Sequence, residues 1–225
     1  MTTRIAVTLL AIALAANATA ALGDPAADLV SQAMAVTPDP EHGRILYLKH
    51  CSKCHSPHAW GDGPREIPAL AGQRESYLIE QLAHFASGER KGSVTHGPVM
   101  HEILQPPDLN RPQAIGDLAA YLSRAGRNPQ PEHAATRAPA IGKGTYTKAC
   151  ASCHGTDGAG SDQGTIPAIG GQHYGYLLAQ LSGFASGLRG HPLGPDVVSG
   201  LSDEEQQAVA DFVSRLAYLS SVSAP

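Results

Sequence analysis

The residues of this chain with the most chemistry to offer are four cysteines, and they come in two matching settings: Cys51-Ser-Lys-Cys54-His55 and Cys150-Ala-Ser-Cys153-His154. Two thiols one helical turn apart can close a disulfide, supply half of a zinc site, or add to the two vinyl groups of a haem. The first two options account for the cysteines and leave the histidines unexplained. A histidine directly after the second cysteine is the spacing that covalent haem attachment requires, because it carries an imidazole beneath the iron once both thioethers are made. Two such motifs predict two haem c groups attached through Cys51, Cys54, Cys150 and Cys153, with His55 and His154 as the proximal iron ligands. Downstream, Pro68 and Pro167 occupy matched Ile-Pro-Ala segments, where a backbone carbonyl could accept the other imidazole N–H and orient the ring.

The motifs are parts of a longer repeat. Gly43, Tyr47, Cys51, Ile67-Pro68-Ala69, Gly72-Gln73, Tyr77-Leu78, Gln81-Leu82 and Phe85 all recur 99 positions later, from Gly142 to Phe184. A register held over so many positions marks a duplicated domain. Past Arg90 and Arg189 it breaks, and it resumes at Ser123-Arg124 and Ser214-Arg215 with eight residues missing from the second copy. Within each copy the spacing is helical. Tyr77, Leu78, Gln81, Leu82 and Phe85 share a face, and Ile115, Leu118, Ala119 and Leu122 match Val209, Phe212, Val213 and Leu216 at i, i+3, i+4, i+7. Ser202 and Glu205 read as a capping box, and the corresponding helix of the first copy starts near Asn110 and Pro112. No segment alternates with period two, so the expected class is all-α. The organisation reads as a leader over 1–20, an N-terminal extension over 21–40, a first domain over 41–125, a proline-rich linker over 126–140 and a second domain over 141–220.

Composition agrees. The 225 residues are 42% hydrophobic but only 5% aromatic, so each small interior needs another large apolar body to fill it, as a haem would. A net charge of −4, with no basic cluster, excludes nucleic acid as a partner. Arg4, the apolar run 5–16 and Ala18-Thr19-Ala20 have the layout of a secretory signal peptide cleaved after Ala20, which predicts export to the periplasm. The run is short for a membrane span, which leaves a retained anchor as the lesser alternative.

These residues resemble the dihaem cytochromes of the c4 type, built from two tandem class I cytochrome c domains. The resemblance runs from about Gly43 to Leu216 and rests on both Cys-x-x-Cys-His motifs, the Pro-Ala-Leu-Ala-Gly-Gln stretch at 68–73 with its counterpart at 167–172, and the Tyr-Leu, Gln-Leu and Phe positions of the following helix. It implies an electron carrier working between redox proteins, a quinol-oxidising complex on one side and a terminal oxidase or reductase on the other, with peripheral association at a membrane allowed. It also implies a methionine ligand from the loop before each closing helix. Met100 lies in that loop of the first copy, with His96 and His101 as competitors. The second copy has no methionine there, and Met100 aligns with Gly194 or with His191 depending on the anchor chosen. His191 is the expected ligand; an open or water-bound iron, or another residue, are the alternatives. Thioether ligation at one haem and a second imidazole at the other would separate the two potentials, the first being higher. An open second iron would instead suit a haem enzyme or small-ligand sensor. No separate catalytic constellation supports that reading: Glu204 and Glu205 read as first-turn helix acids, His50 and His58 as solvated flanking residues, and His173 as a surface residue.

Overall fold

The structure is a computed structural model that describes residues 24–90, 96–135, 138–163, 165–192, 194 and 196–216. The expected leader lies outside the described residues. Among the described residues the α-helices are, in order, α1 Pro25–Ala35, α2 Pro40–His50, α3 Ser52–His55, α4 Glu75–Ser87, α5 Gly97–Ile103, α6 Pro112–Arg124, α7 Pro139–Ala149, α8 Ala151–His154, α9 Tyr174–Ala185, α10 Asp196–Ser199 and α11 Asp203–Ser214. No strand occurs among the described residues; two isolated bridges, Asp62 with Ile67 and Ser161 with Ile166, close equivalent loops in the two halves. The chain is all-α, in two matching helical units, as its periodicity predicts.

Local chemistry accounts for the helix boundaries. Asp24 and Asp39 cap α1 and α2 through their carboxylates, and each is followed by a proline at the first helical position, where the missing N–H costs nothing. The expected capping box is present at the start of α11: Ser202 accepts from the Glu205 N–H while the Glu205 carboxylate accepts from the Ser202 N–H.

Each half is held by a crossing of its first and last long helices, α2 on α6 and α7 on α11. The crossings are close because glycine sits at each. A Cβ on Gly43 would collide with the carbonyl of Asp117, and one on Gly142 with the carbonyl of Ala208. Around the first crossing Leu46, Tyr47, Leu78, Phe85, Ile115, Leu118 and Leu122 are buried together. Around the second the buried cluster is smaller: Tyr146, Leu177, Val209, Ala210 and Val213.

Helix α1, in the segment read only as an extension, packs on α4 and α6. Ile79, Ala83 and Ala86, on a side of α4 that lies outside the predicted face, are buried too. That predicted face in turn divides, with Leu78 and Phe85 entering the core and Tyr77 and Gln81 facing the other half.

Candidate functional site

The two Cys-x-x-Cys-His motifs adopt one local structure. Each first cysteine ends a long helix, and the next four residues form the single-turn helices α3 and α8, which close on the histidine. The Tyr47 hydroxyl donates to the Ser56 carbonyl and the Tyr146 hydroxyl to the Gly155 carbonyl, each at 2.5 Å, tying the turn to the preceding helix. The chain then reverses through Gly61 and Gly160. Both have positive φ and both lie against the Pro68 or Pro167 carbonyl group, where a side chain would not fit. The reversal brings these prolines to the histidines. His55 Nδ1 donates to the Pro68 carbonyl and His154 Nδ1 to the Pro167 carbonyl, 3.1 Å in each case. Nε2 is thereby the lone-pair nitrogen in both rings, the form an iron ligand needs. Burial holds both imidazoles below their ordinary pKa, His55 more deeply buried than His154.

All four thiols are unbridged. Burial raises Cys51 to about 12 and Cys150 to about 11, so both are neutral. Among the described residues no group of three or more His, Cys, Asp or Glu side chains could hold a metal ion unaided.

The halves meet through reciprocal contacts. Gln73 Nε2 donates to the Ala168 carbonyl while Gln73 Oε1 accepts the Ala168 N–H; Gln172 does the same to Ala69. Arg90 donates to Gln81 of its own half and to Tyr176 and Gln180 of the other. Arg189 donates to Gln180 and reaches back to Tyr77 and Gln81. Each guanidinium lies over a phenylalanine ring of its own half, Arg90 on Phe85 and Arg189 on Phe184. The linker is drawn into the same interface: Trp60 Nε1 donates to the Gly126 carbonyl, and Arg127 donates to that of Gly170. Gln73, Tyr77 and Gln81 recur as Gln172, Tyr176 and Gln180, and that common offset of 99 is the sequence signal for a symmetric contact.

Two expectations about histidines are corrected. His173 is 4% exposed: its Nδ1 accepts the Glu132 N–H and its Nε2 donates to the Trp60 carbonyl, so it joins linker to interface. His50 is half-buried and lies 2.9 Å from Asp108, a carboxylate shared with Lys49, and it clips the loop before α6 to α2. Both partners lie far away in sequence, beyond what local spacing reveals. His58 is exposed, as expected.

In the first half Met100 is partly buried against the core. Of its competitors, His101 donates from Nδ1 to the Phe85 carbonyl at 2.7 Å, and His96 from Nε2 to that of Arg65 at 3.0 Å. In the second half the His191 ring stands edge-on to Phe184 with centroids 5.1 Å apart. Burial lowers its pKa, and the nearby charges of His154 and Arg189 lower it further.

Residues 40–125 and 139–217 each match the Cytochrome c protein family. The chain belongs to the cytochrome c family. Cytochrome c4 of Azotobacter vinelandii is 28% identical over 74% of this chain and 84% of its own. The thiosulfate dehydrogenase electron acceptor of Thiomonas intermedia (strain K12) is 32% identical over 73% of this chain and 77% of its own. The crystal structure of reduced recombinant cytochrome c4 from Pseudomonas stutzeri superposes with a TM-score of 0.64 at 27% identity, covering 80% of this chain and 100% of that one. The protein is a dihaem electron-transfer cytochrome of the c4 type, with haem c as its cofactor.

The interior of this cytochrome fits that group. Arg90 and Arg189 share one interface, yet among the described residues neither pairs with a carboxylate, and the buried Arg90 Nε has no partner. Two like charges brought together away from water call for an anion between them. The carboxylates that a haem carries are an anion of the right kind.

Proposed function

We propose that this cytochrome works in the periplasm, exported by a leader over 1–20 that is then removed, and relays electrons between a quinol-oxidising complex or a comparable donor and a terminal oxidase or reductase. A dehydrogenase of reduced sulfur compounds is a donor of the same kind, as the name of the Thiomonas relative illustrates. No helix among the described residues is long and apolar enough to cross a membrane. The observation that carries the reading is the reciprocal clasp between two equivalent Cys-x-x-Cys-His units, which holds one redox centre beside the other. In this reading the first domain spans 41–125, the linker 126–140 and the second domain 141–220.

Cys51 and Cys54, and Cys150 and Cys153, form the thioether bonds, and His55 and His154 are the proximal ligands. The haems supply one-electron chemistry; the chain supplies burial, ligands and orientation. Met100 is the sixth ligand of the first haem, supported by its position against the core. His191 is the sixth ligand of the second. It is supported by its place beside Phe184 in the loop before α11, while His173 has both ring nitrogens engaged.

Two measurements test these roles. Met100→Ala should abolish the near-infrared sulfur-to-iron charge-transfer band and lower one potential only; persistence of the band would show that the sulfur comes from elsewhere. The unmodified ferrous protein should bind no carbon monoxide at neutral pH, while His191→Ala opens one haem of the two. Binding of about one equivalent by the unmodified protein would overturn His191 ligation and favour an enzyme or sensor over a carrier.

A further inference from the structure

The glutamine clasp acts on a particular peptide group. Ala69 N–H and the Pro68 carbonyl are the two ends of one planar peptide unit. Gln172 Oε1 accepts the Ala69 N–H at 2.9 Å, and the carbonyl at the other end accepts His55 Nδ1–H at 3.1 Å. Gln73 Oε1 likewise accepts the Ala168 N–H at 2.7 Å, and the Pro167 carbonyl of that unit accepts His154 Nδ1–H. Each amide also donates to the following carbonyl, which fixes its own orientation. Gln172 is 7% exposed, so water does not replace the contact.

We propose that Gln73 and Gln172 are crossed positioning residues, each holding and polarising the peptide that orients the proximal histidine of the opposite domain. A hydrogen bond accepted from a peptide N–H makes its carbonyl a stronger acceptor. A stronger acceptor at Nδ1 makes the imidazole more basic, and a more basic imidazole favours ferric over ferrous iron. Gln172, in the second domain, thereby lowers the potential of the first haem, and Gln73 that of the second.

The inference rests on His55 and His154 being proximal ligands. Its test is a redox titration of the holoprotein in which bleaching of the Met100 charge-transfer band reports the first haem by itself. Gln172→Ala should shift the reduction equilibrium of the first haem by about tenfold toward ferrous, about 59 mV for a one-electron couple, and move the second haem much less. Gln73→Ala should give the mirror result. Gln172→Glu keeps an acceptor for the Ala69 N–H and should return the first haem to its original potential or below, which loosening of the interface alone would not do. Shifts on the variant's own haem, equal shifts on both, or none would overturn the proposal. Failure of the proximal assignment is separate, because His55→Ala would then leave the Met100 band and the potential of the first haem unchanged.

Discussion

Cys150→Ser with Cys153→Ser leaves a protein that carries one covalent haem and whose second domain does not fold. The expected mass falls by one haem relative to the unmodified holoprotein, and helical circular dichroism falls with it. The reason lies in the interior. A domain of about 80 residues seldom builds enough core to be stable unaided, and the buried apolar cluster of this one is Tyr146, Leu177, Val209, Ala210 and Val213. The equivalent pair, Cys51→Ser with Cys54→Ser, should do less damage. Its domain retains α1 packed on α4 and α6 and the larger cluster that includes Leu46, Tyr47, Ile79, Leu104, Leu109 and Leu118. Full helicity in the Cys150 and Cys153 variant, with one haem missing by mass, would show that the second domain does not depend on its cofactor for folding.

Gly142→Val should destabilise the holoprotein by about 3 kcal/mol or more, near the upper end for overpacking. At this position a Cβ meets the backbone carbonyl of Ala208 and lies 2.8 Å from the Phe212 Cβ. Backbone on a packed helix cannot rotate aside as a side chain can, so α7 and α11 would have to separate. Gly144, two residues along the same helix, provides the control, since a Cβ there meets nothing within 4 Å. Gly144→Ala should be neutral or stabilising by roughly 0.5–1 kcal/mol through its effect on the unfolded chain. Denaturant unfolding of both variants measures the contrast; equal midpoints would mean that the α7–α11 contact does not limit stability.

Covalent chemistry and helical period were readable from the amino-acid order because both are local. Cys51, Cys54 and His55 lie within one turn, and Ile115, Leu118, Ala119 and Leu122 repeat along one helix and are all buried. The Pro68 and Pro167 carbonyls were also anticipated, since a ligating imidazole needs a partner for its other nitrogen and the matched Ile-Pro-Ala segments suggested where it lay. What escaped depended on distance in sequence. Nothing near His173 announces Glu132 and Trp60, and nothing near His50 announces Asp108. The role of α1 was hidden because among the described residues the second domain has no such helix: Gly116 accommodates Val36 at the end of α1, whereas Gln207, 91 positions later, is exposed. Arg90 and Arg189 were visible only as the point where the repeat loses register.

The clasp joins equivalent surfaces: Gln73 does to the second domain what Gln172 does to the first, and Arg90 and Arg189 exchange Tyr176 for Tyr77 in the same manner. A contact that maps onto itself when its partners are swapped is isologous, the kind made by twofold homodimers. Two separate copies of one ancestral domain could already have associated through it before any linker existed. From such a dimer, gene duplication would have had only to fuse the two halves, and fusion would have released them from having to stay identical. A methionine before the last helix of one half and none in the other is a divergence that a homodimer encoded by a single gene could not have shown.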